Sequence, residues 1–399
     1  MPGTPNPPPA PEQKIYDGPT DFTGRVFEEH QDFSGLTFPE IMDFIDATFE
    51  KGANFRGATF QQAVDFTGAN FTGATFQQGA TFQQGANFRG ATFQQGAIFR
   101  GATFRQGADF SGATFYSGEA FFGYADFERA TFHGRARFER VTFHGGAKFE
   151  HATFHKGASF ERATFYSGEG FYPHANFDHA TFDGNASFER AKFASTPTFI
   201  NAEMKSRTSF AAATFAETSP DFAGARLHEG TTWFGVKWPP APKTTAAAEY
   251  AVSAYERLKL EMDRLKKHAD ELDFFALELQ ARRVLAGQWS SLTGWAIWAY
   301  GLLSDYGRSV SQPLFLLLAT VLAGADALWG HAGLGYARAL GLSAASTLGV
   351  FNFRQAFFAA GDLVTLPGWL QVLSAGETIL GALLLFLLGL GLRNTFRLR

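Results

Sequence analysis

Cysteine is absent from all 399 residues. That excludes disulfide scaffolds, thiolate zinc sites and cysteine nucleophiles, and leaves side-chain packing to hold the fold together. Neither sign of charge prevails: 34 Lys and Arg stand against 38 Asp and Glu, a net charge of −4. No side of the chain forms a basic stripe, so nucleic acid is not an expected partner. Catalytic signatures are missing too, with no G-x-S-x-G, H-E-x-x-H, phosphate loop or recognisable carboxylate pair. Neither an enzyme nor a bound cofactor or metal is expected. Residues 1–13 (MPGTPNPPPAPEQ) lack the charged start and apolar stretch of a secretory signal. Their proline content predicts an extended, mobile tail.

Phenylalanine is abundant and periodic. From Phe22 to Phe199 it returns every five or six residues, and the steps largely alternate, giving a true repeat of eleven, as in ANFRGATFQQGAIFRGATFRQGADF (86–110). Neither step returns a side chain to the same face of a helix. A chain that turns a corner after each short step does, which predicts a β solenoid over residues 14–238. In each step the Phe and the Ala two residues earlier share one face, as Ala58 with Phe60 and Ala91 with Phe93. The intervening Thr, Asn or Asp faces out or bonds the backbone. Stacked coils then place Phe on Phe, making Phe60, Phe93, Phe104, Phe132, Phe154 and Phe182 core residues, each worth roughly 2–3 kcal/mol on full burial. Gly85, Gly90, Gly96 and Gly101 fall at corners, where backbone angles that other residues resist are expected.

Between Phe127 and Phe193 the outward positions collect His133, His144, His151, His155, His174 and His179 among Arg and Glu. Pairs one coil apart, His133 with His155 and Glu128 with Glu150, are expected to stack. The histidines spread over several sides, so a solvated ladder of surface charge is expected in preference to a metal site.

The recurring A-[TND]-F-x-x resembles the pentapeptide-repeat family over more than half of the chain. The resemblance implies a right-handed, four-sided β-helix, here of alternating five- and six-residue steps in coils of about 22 residues. Phe22 to Phe199 then makes about eight coils, roughly 40 Å of rod, extended by degenerate steps at Phe210, Phe215, Phe222, Leu227 and Phe234. Trp233 and Trp238, followed by PPAP (239–242), read as cap and exit. Some members of the family are rod-shaped DNA mimics that bind topoisomerases through an anionic face. The interleaved Arg56, Arg89, Arg100, Arg105, Arg129 and Arg140 argue against that role here.

Residues 239–288 read as a helical hairpin. Tyr255, Leu258, Met262 and Leu265 recur at three and four, Lys266, Lys267 and His268 suit a helix C-terminus, and Leu272, Phe275 and Leu279 form a second stripe. The hairpin serves either to pack on the end of the rod or to carry oligomer contacts or a signal. The stretch DFFALELQARR (273–283) resembles the linker of bacterial membrane-attached pentapeptide-repeat proteins.

Trp289, Trp295, Trp298 and Tyr300, beside Ser304, Asp305 and Arg308, predict an interfacial helix at 289–309. Residues 310–399 then hold two apolar runs, and the lipid bilayer is an expected partner. PLFLLLATVLAGADALWG (313–330) has Asp326 as its only charge, and Leu370 to Leu392 has only Glu377 and spans about 34 Å as a helix. Arg282, Arg283 and Arg308 before the first run, and Arg393, Arg397 and Arg399 after the second, place both termini in the cytoplasm, at a bacterial inner membrane.

The connection contains a half-helix (340–360), then GDLVTLP (361–367), then a helix with Glu377 and Gly381. This order resembles the pore unit of two-span potassium channels, in which a pore helix leads to a T-V-G-Y-G-D filter. G-D-x-x-x-x-P (361–367) and E-T-I-L-G (377–381) match that outline. The filter departs from it, with Ala359 and Ala360 before Gly361 and no second glycine or tyrosine. The resemblance implies an ion path at Gly361, Asp362, Glu377 and Asp326. In a tetramer the three acids would form cation-favouring rings; otherwise each pairs with Arg338, Arg354 or a backbone group and holds helices together. The expected protein has a cytoplasmic β-helical rod that senses or binds an unidentified partner and is coupled to an oligomeric, passive, cation-preferring pore. The alternative is a non-conducting anchor for an interaction scaffold.

Overall fold

The computed structural model describes residues 14–77, 79–117, 124–166, 174–287, 289–351 and 366–397. It divides into two compact units: one runs to Ala241 and includes Ser253–Leu265, and the other comprises Pro242–Val252 and the chain from Lys266 onward.

Strands of two or three residues build the first unit, because each apolar side chain is followed at once by a corner. Thr59–Phe60, Val64–Asp65, Asn70–Phe71 and Ala74–Thr75 are the four sides of one coil, here faces A, B, C and D. Each strand pairs in parallel with the same face of the next coil, Thr59 on Thr81 and Thr81 on Thr103. The result is four parallel sheets, of nine strands on A, eight on B, nine on C and seven on D. All six expected core phenylalanines are fully buried, as are Ala58 and Ala91. Phe82 and Phe104 lie parallel with centroids 4.7 Å apart, and Phe104 and Phe132 at 4.8 Å. Rings on neighbouring faces meet edge-on, Phe82 and Phe88 at 6.0 Å and 82°. Each ring therefore has face contacts along the rod and edge contacts across it.

Most coils take 22 residues, as expected. Two take 28. The extra residues fall at the corner between faces C and D, after Phe115 and after Phe165, where 118–123 and 167–173 lie outside the described residues. Phe121 and Phe171 keep the five-or-six rhythm in sequence, so these insertions read there as ordinary steps. Gly90, Gly96 and Gly101 have φ of +67°, +78° and +67°, whereas Gly85 is not in the left-handed region.

The open end of the rod is closed by aromatic stacking and by the part of helix α1 (Thr245–Arg264) from Ser253 onward. Trp233 stacks on Phe210 at 4.6 Å, Trp238 on Phe215 at 5.3 Å, and Tyr255 meets Trp238 edge-on. The Leu227 N–H donates to Glu261 Oε1 at 3.0 Å, and Arg264 Nη2 donates to the Leu227 carbonyl at 3.1 Å. An unpaired edge is thereby satisfied by side chains. Burial pushes the Tyr255 hydroxyl up to about 12.

The unit boundary falls inside the segment read as a hairpin. Helix α2 (His268–Leu285) belongs to the second unit, and its buried residues are Phe274, Ala276, Glu278 and Ala281, with Leu272, Phe275 and Leu279 half-buried. Then come α3 (Leu292–Ser304), α4 (Ser311–Ala332), α5 (Tyr336–Thr347), a 3-10 turn at Gly349–Phe351 and α6 (Gly368–Arg397). Ser291 caps α3 by accepting from the Gly294 N–H at 3.0 Å. Both α4 and α6 are long and apolar enough to cross a membrane, with mean hydropathy 1.6 and 2.0. Helix α5 overlaps the first part of the half-helix expected at 340–360, of which 352–360 lie outside the described residues.

Phe104→Ala removes a ring that is stacked on both sides, and is expected to cost about 3–5 kcal/mol. Urea unfolding followed by circular dichroism measures it, and a loss below about 1 kcal/mol would show that the stack is not what holds the coils.

Candidate functional site

On face D the outward column is Asp126, Lys148 and Asn176 in successive coils. The next column, at the corner to face A, is Glu128, Glu150 and Asp178. Lys148 Nζ lies 2.6 Å from Glu128 Oε2 and 3.3 Å from Glu150 Oε2, while Arg100 bonds Glu128 and sits 3.4 Å from Asp126. The Lys148 and Glu128 side chains are each only 9% exposed. Glu128 and Glu150 are therefore not the solvated ladder that the sequence suggests: a lysine from the neighbouring column sits between them. Burial pushes the Asp126 carboxyl up, against the Glu128 N–H and the charges of Arg100 and Lys148. At Glu128 burial acts the same way, but Lys148 and Arg100 prevail and hold its carboxyl low. Burial pushes His174 down, opposed by Asp178.

The histidine columns form as expected. His133 stacks on His155 at 4.8 Å on face A, and His155 Nδ1 lies 2.7 Å from Asp183, which also holds Lys205 at 3.1 Å. His151 stacks on His179 at 4.6 Å at the D–A corner. On face C, His144 lies between Tyr116 and Tyr166 at 4.7 and 5.0 Å, a mixed aromatic ladder that the sequence reading did not single out. These columns occupy different sides and do not converge on one point.

One feature of the corners is unexpected. Arg129, Arg140, His151, Arg162, His179 and Arg190 have φ of +57° or +58°, in the left-handed region. Glycine holds the same place in most earlier coils, as at Gly57, Gly68, Gly101 and Gly112, while Asp46 before this stretch and Asn201 and Ala212 after it share the angle. The signal was present in sequence as a change from F-x-G-A to F-E-R-A, F-E-H-A and F-D-H-A, which reads as surface charge unless the corner geometry is known.

In the second unit, α5 packs between α4 and α6 through polar and small residues. Ser343 Oγ donates to Glu377 Oε1 at 2.7 Å and lies 2.9 Å from the Val321 carbonyl. Ser346 Oγ meets Ser374 Oγ at 2.8 Å, and Thr378 Oγ1 donates to the Ser346 carbonyl at 3.0 Å. A Cβ at Gly324 would collide with Glu377 Oε1, and one at Gly381 with the Thr347 carbonyl. Glu377 is buried, and its Oε2 has no hydrogen-bond partner among the described residues. Its partner is thus a serine, where the sequence suggested Arg338, Arg354 or a backbone group. Asp326 is exposed on α4. Gly361, Asp362 and Arg354 lie outside the described residues. Beside α3, the Arg283 guanidinium stands 4.3 Å over the Trp289 ring.

With this geometry in place, comparison with known families is informative. A family model described as pentapeptide repeats (9 copies) matches residues 33–78, 78–126 and 120–164. The coils over those residues are similar to pentapeptide repeats. The same four-faced stacking continues past the matched residues to Trp233 on Phe210. No curated protein and no solved structure matches the chain.

Two expectations follow. Lys148→Met leaves Glu128 buried without its principal cation, and is expected to destabilise the rod by about 3 kcal/mol. Glu128→Gln in the same chain should recover much of that, measured by denaturant unfolding; no recovery would mean that Lys148 acts through packing. His174 has a folded pKa below its unfolded value of about 6.5. As pH falls through that range the unfolded chain takes up the proton first, so stability drops. The unfolding midpoint should fall less in His174→Gln than in the parent between pH 7.5 and 5, and equal losses would exclude His174 as the source.

For the helical unit, Gly324→Ala should lower the thermal midpoint in detergent by several degrees, whereas Gly330→Ala, with open space around it, should not. Equal midpoints would show that the Glu377 seam tolerates a methyl group.

Proposed function

We propose that this protein is a membrane-anchored interaction scaffold, with a pentapeptide-repeat rod as its recognition surface and the α3–α6 unit as its anchor. The observation that carries the reading is the pairing of two kinds of surface in one chain. The rod buries its phenylalanines and presents rows of charged and aromatic side chains at coil spacing, while α4 and α6 expose Phe315, Leu318, Leu322, Val372, Ile379 and Phe386. So much exposed apolar surface on two membrane-length helices suits a bilayer. The basic residues at 282, 283, 308 and 393 flank the helices on the side that would face the cytoplasm of a bacterial cell, which puts both termini there. No covalent chemistry is assigned to the chain, and the partner of the rod is a protein.

A second reading is favoured by α5. It descends from the loop after α4 and reaches Val321, about 15 Å from the start of α4, so in a bilayer it is a re-entrant half-helix. Its neighbour Glu377 has one carboxylate oxygen without a partner among the described residues. Four such units around an axis would make a passive, cation-preferring pore, with Asp326 and Asp362 as further acids on the ion path. Glu377 faces the α4–α5 packing within one chain, which supports helix-holding over a ring and places the scaffold reading first.

Reconstituted full-length protein tests both. Reversing charge at His133, Arg140 and His155 should abolish retrieval of the rod's partner and leave membrane insertion unchanged. Retrieval that survives would remove those columns from recognition. Planar-bilayer recordings should show no steady cation current; a current that Asp326→Asn or Asp362→Asn alters would instead establish the pore.

A further inference from the structure

The corner residues with positive φ point to what the rod recognises. Glycine fills this place in most earlier coils and alanine at Ala212, so the fold itself requires no large side chain there. From Arg129 to Arg190 six corners in a row carry a large side chain in a backbone conformation that strains every residue except glycine. Asp46, Asn201 and Ala212 share the angle, so what sets this stretch apart is the unbroken run of six long or aromatic side chains that the fold does not need.

On the corner between faces B and C these side chains are Arg140, Arg162 and Arg190. They are stacked one coil apart, because the Arg140 N–H donates to the Glu161 carbonyl and the Arg162 N–H to the Glu189 carbonyl. The residues just before them, Glu139, Glu161 and Glu189, form a second column alongside. The two columns neutralise each other poorly within the chain. Arg162 Nε is 3.6 Å from Glu161, and no carboxylate lies within 4.0 Å of Arg140 or Arg190 among the described residues. Ser111, not an arginine, donates to Glu139 at 2.8 Å. All three arginines are exposed.

We propose that this ridge is a self-recognition surface, against which a second copy of the chain packs side by side and parallel. The proposal rests on the reading of the rod as an interaction surface and names its partner. Charge complementarity selects both the partner and the orientation. A two-fold axis along the rod exchanges left and right, so each arginine column meets the other copy's glutamate column. A two-fold axis across the rod reverses direction without exchanging columns, and sets acid on acid. Three acids beside three bases make a neutral stripe, which a nucleic acid or an anionic bilayer would not select. Each of the three levels repeats the same pair, so one coil of slippage loses a level and the register is fixed.

The absence of native cysteine makes the contact directly testable in the full-length protein. One copy carries Glu189→Cys and the other Arg190→Cys, and oxidation in detergent reads disulfide formation between them. A swapped ridge exchanges the columns at the other two levels: Glu139→Arg with Arg140→Glu, and Glu161→Arg with Arg162→Glu. Parent with parent and swapped with swapped should both cross-link, whereas parent with swapped should fall at least tenfold. Replacing Arg140 and Arg162 with glycine should raise the unfolding midpoint and weaken cross-linking, since it relieves the backbone while removing the contact. No disulfide in the parent pair, or equal yields in all three pairings, overturns the proposal. If that happens while the charge-reversal retrieval above still behaves as expected, self-pairing alone fails and the scaffold reading stands.

Discussion

The rod depends on one contact, a phenylalanine ring lying flat on the ring from the next coil. Centroid separations of 4.6 to 5.2 Å recur from Phe38 on Phe60 to Phe193 on Phe215, which is close to the spacing that parallel strand pairing imposes. Ring stacking and backbone ladder therefore share one repeat and reinforce each other. Strands of two residues are far too short to persist alone. They persist here because each is the middle of a stack whose rings are completely buried. With no cysteine and no metal needed, the interior consumes nearly all the apolar side chains, and every outward position is free to vary without cost to the fold.

That freedom explains how the outer columns differ from one stretch to the next. Acids are frequent up to Glu50, glutamine and asparagine from Asn54 to Gln95, and charged and aromatic residues from Arg100 onward. Where the outward side chains lie in one column they repeat at coil spacing, so like residues stack, as His133 on His155 does. Where charges of opposite sign fall in adjacent columns they bridge between coils, as Lys148 does between Glu128 and Glu150. Partial burial makes those bridges matter more than surface ion pairs. The coils that carry them are also the ones with inserted corner residues, so the richest chemistry of the rod lies where its geometry departs from the simple repeat.

How much of this could be read from the sequence follows from which contacts are periodic. Phe104 and Ala91 are legible because period and burial coincide. The 28-residue coils are not, because Phe121 and Phe171 preserve the rhythm while the chain between faces C and D grows longer. Lys148 is a surface charge by sequence, and only the three-dimensional juxtaposition of two columns shows it buried between carboxylates. The membrane-length helices are legible from apolar runs, whereas α5 begins at Tyr336, before the stretch expected to be helical. Glu377 was legible as a residue needing a partner. That the partner is Ser343 follows from Gly324, whose missing side chain lets α4 approach the carboxylate, and a glycine in an apolar run announces no such thing.

The left-handed corners show how a stable repeat can carry local strain. Each costs about 1 kcal/mol or more relative to glycine, whereas each fully buried phenylalanine contributes roughly 2–3 kcal/mol. A coil with four such rings therefore absorbs two strained corners with little change in its net stability. The same substitution in a fold with a sparse core would be removed by selection for stability. A rod held by so regular an interior can keep arginine and histidine where glycine fits better, and its corners become the sites most available for recognition. Corners also project furthest from the axis of a square coil, so a partner meets them before it meets the flat faces. The strain and the exposure thus fall on the same residues, which is the arrangement a recognition ridge requires.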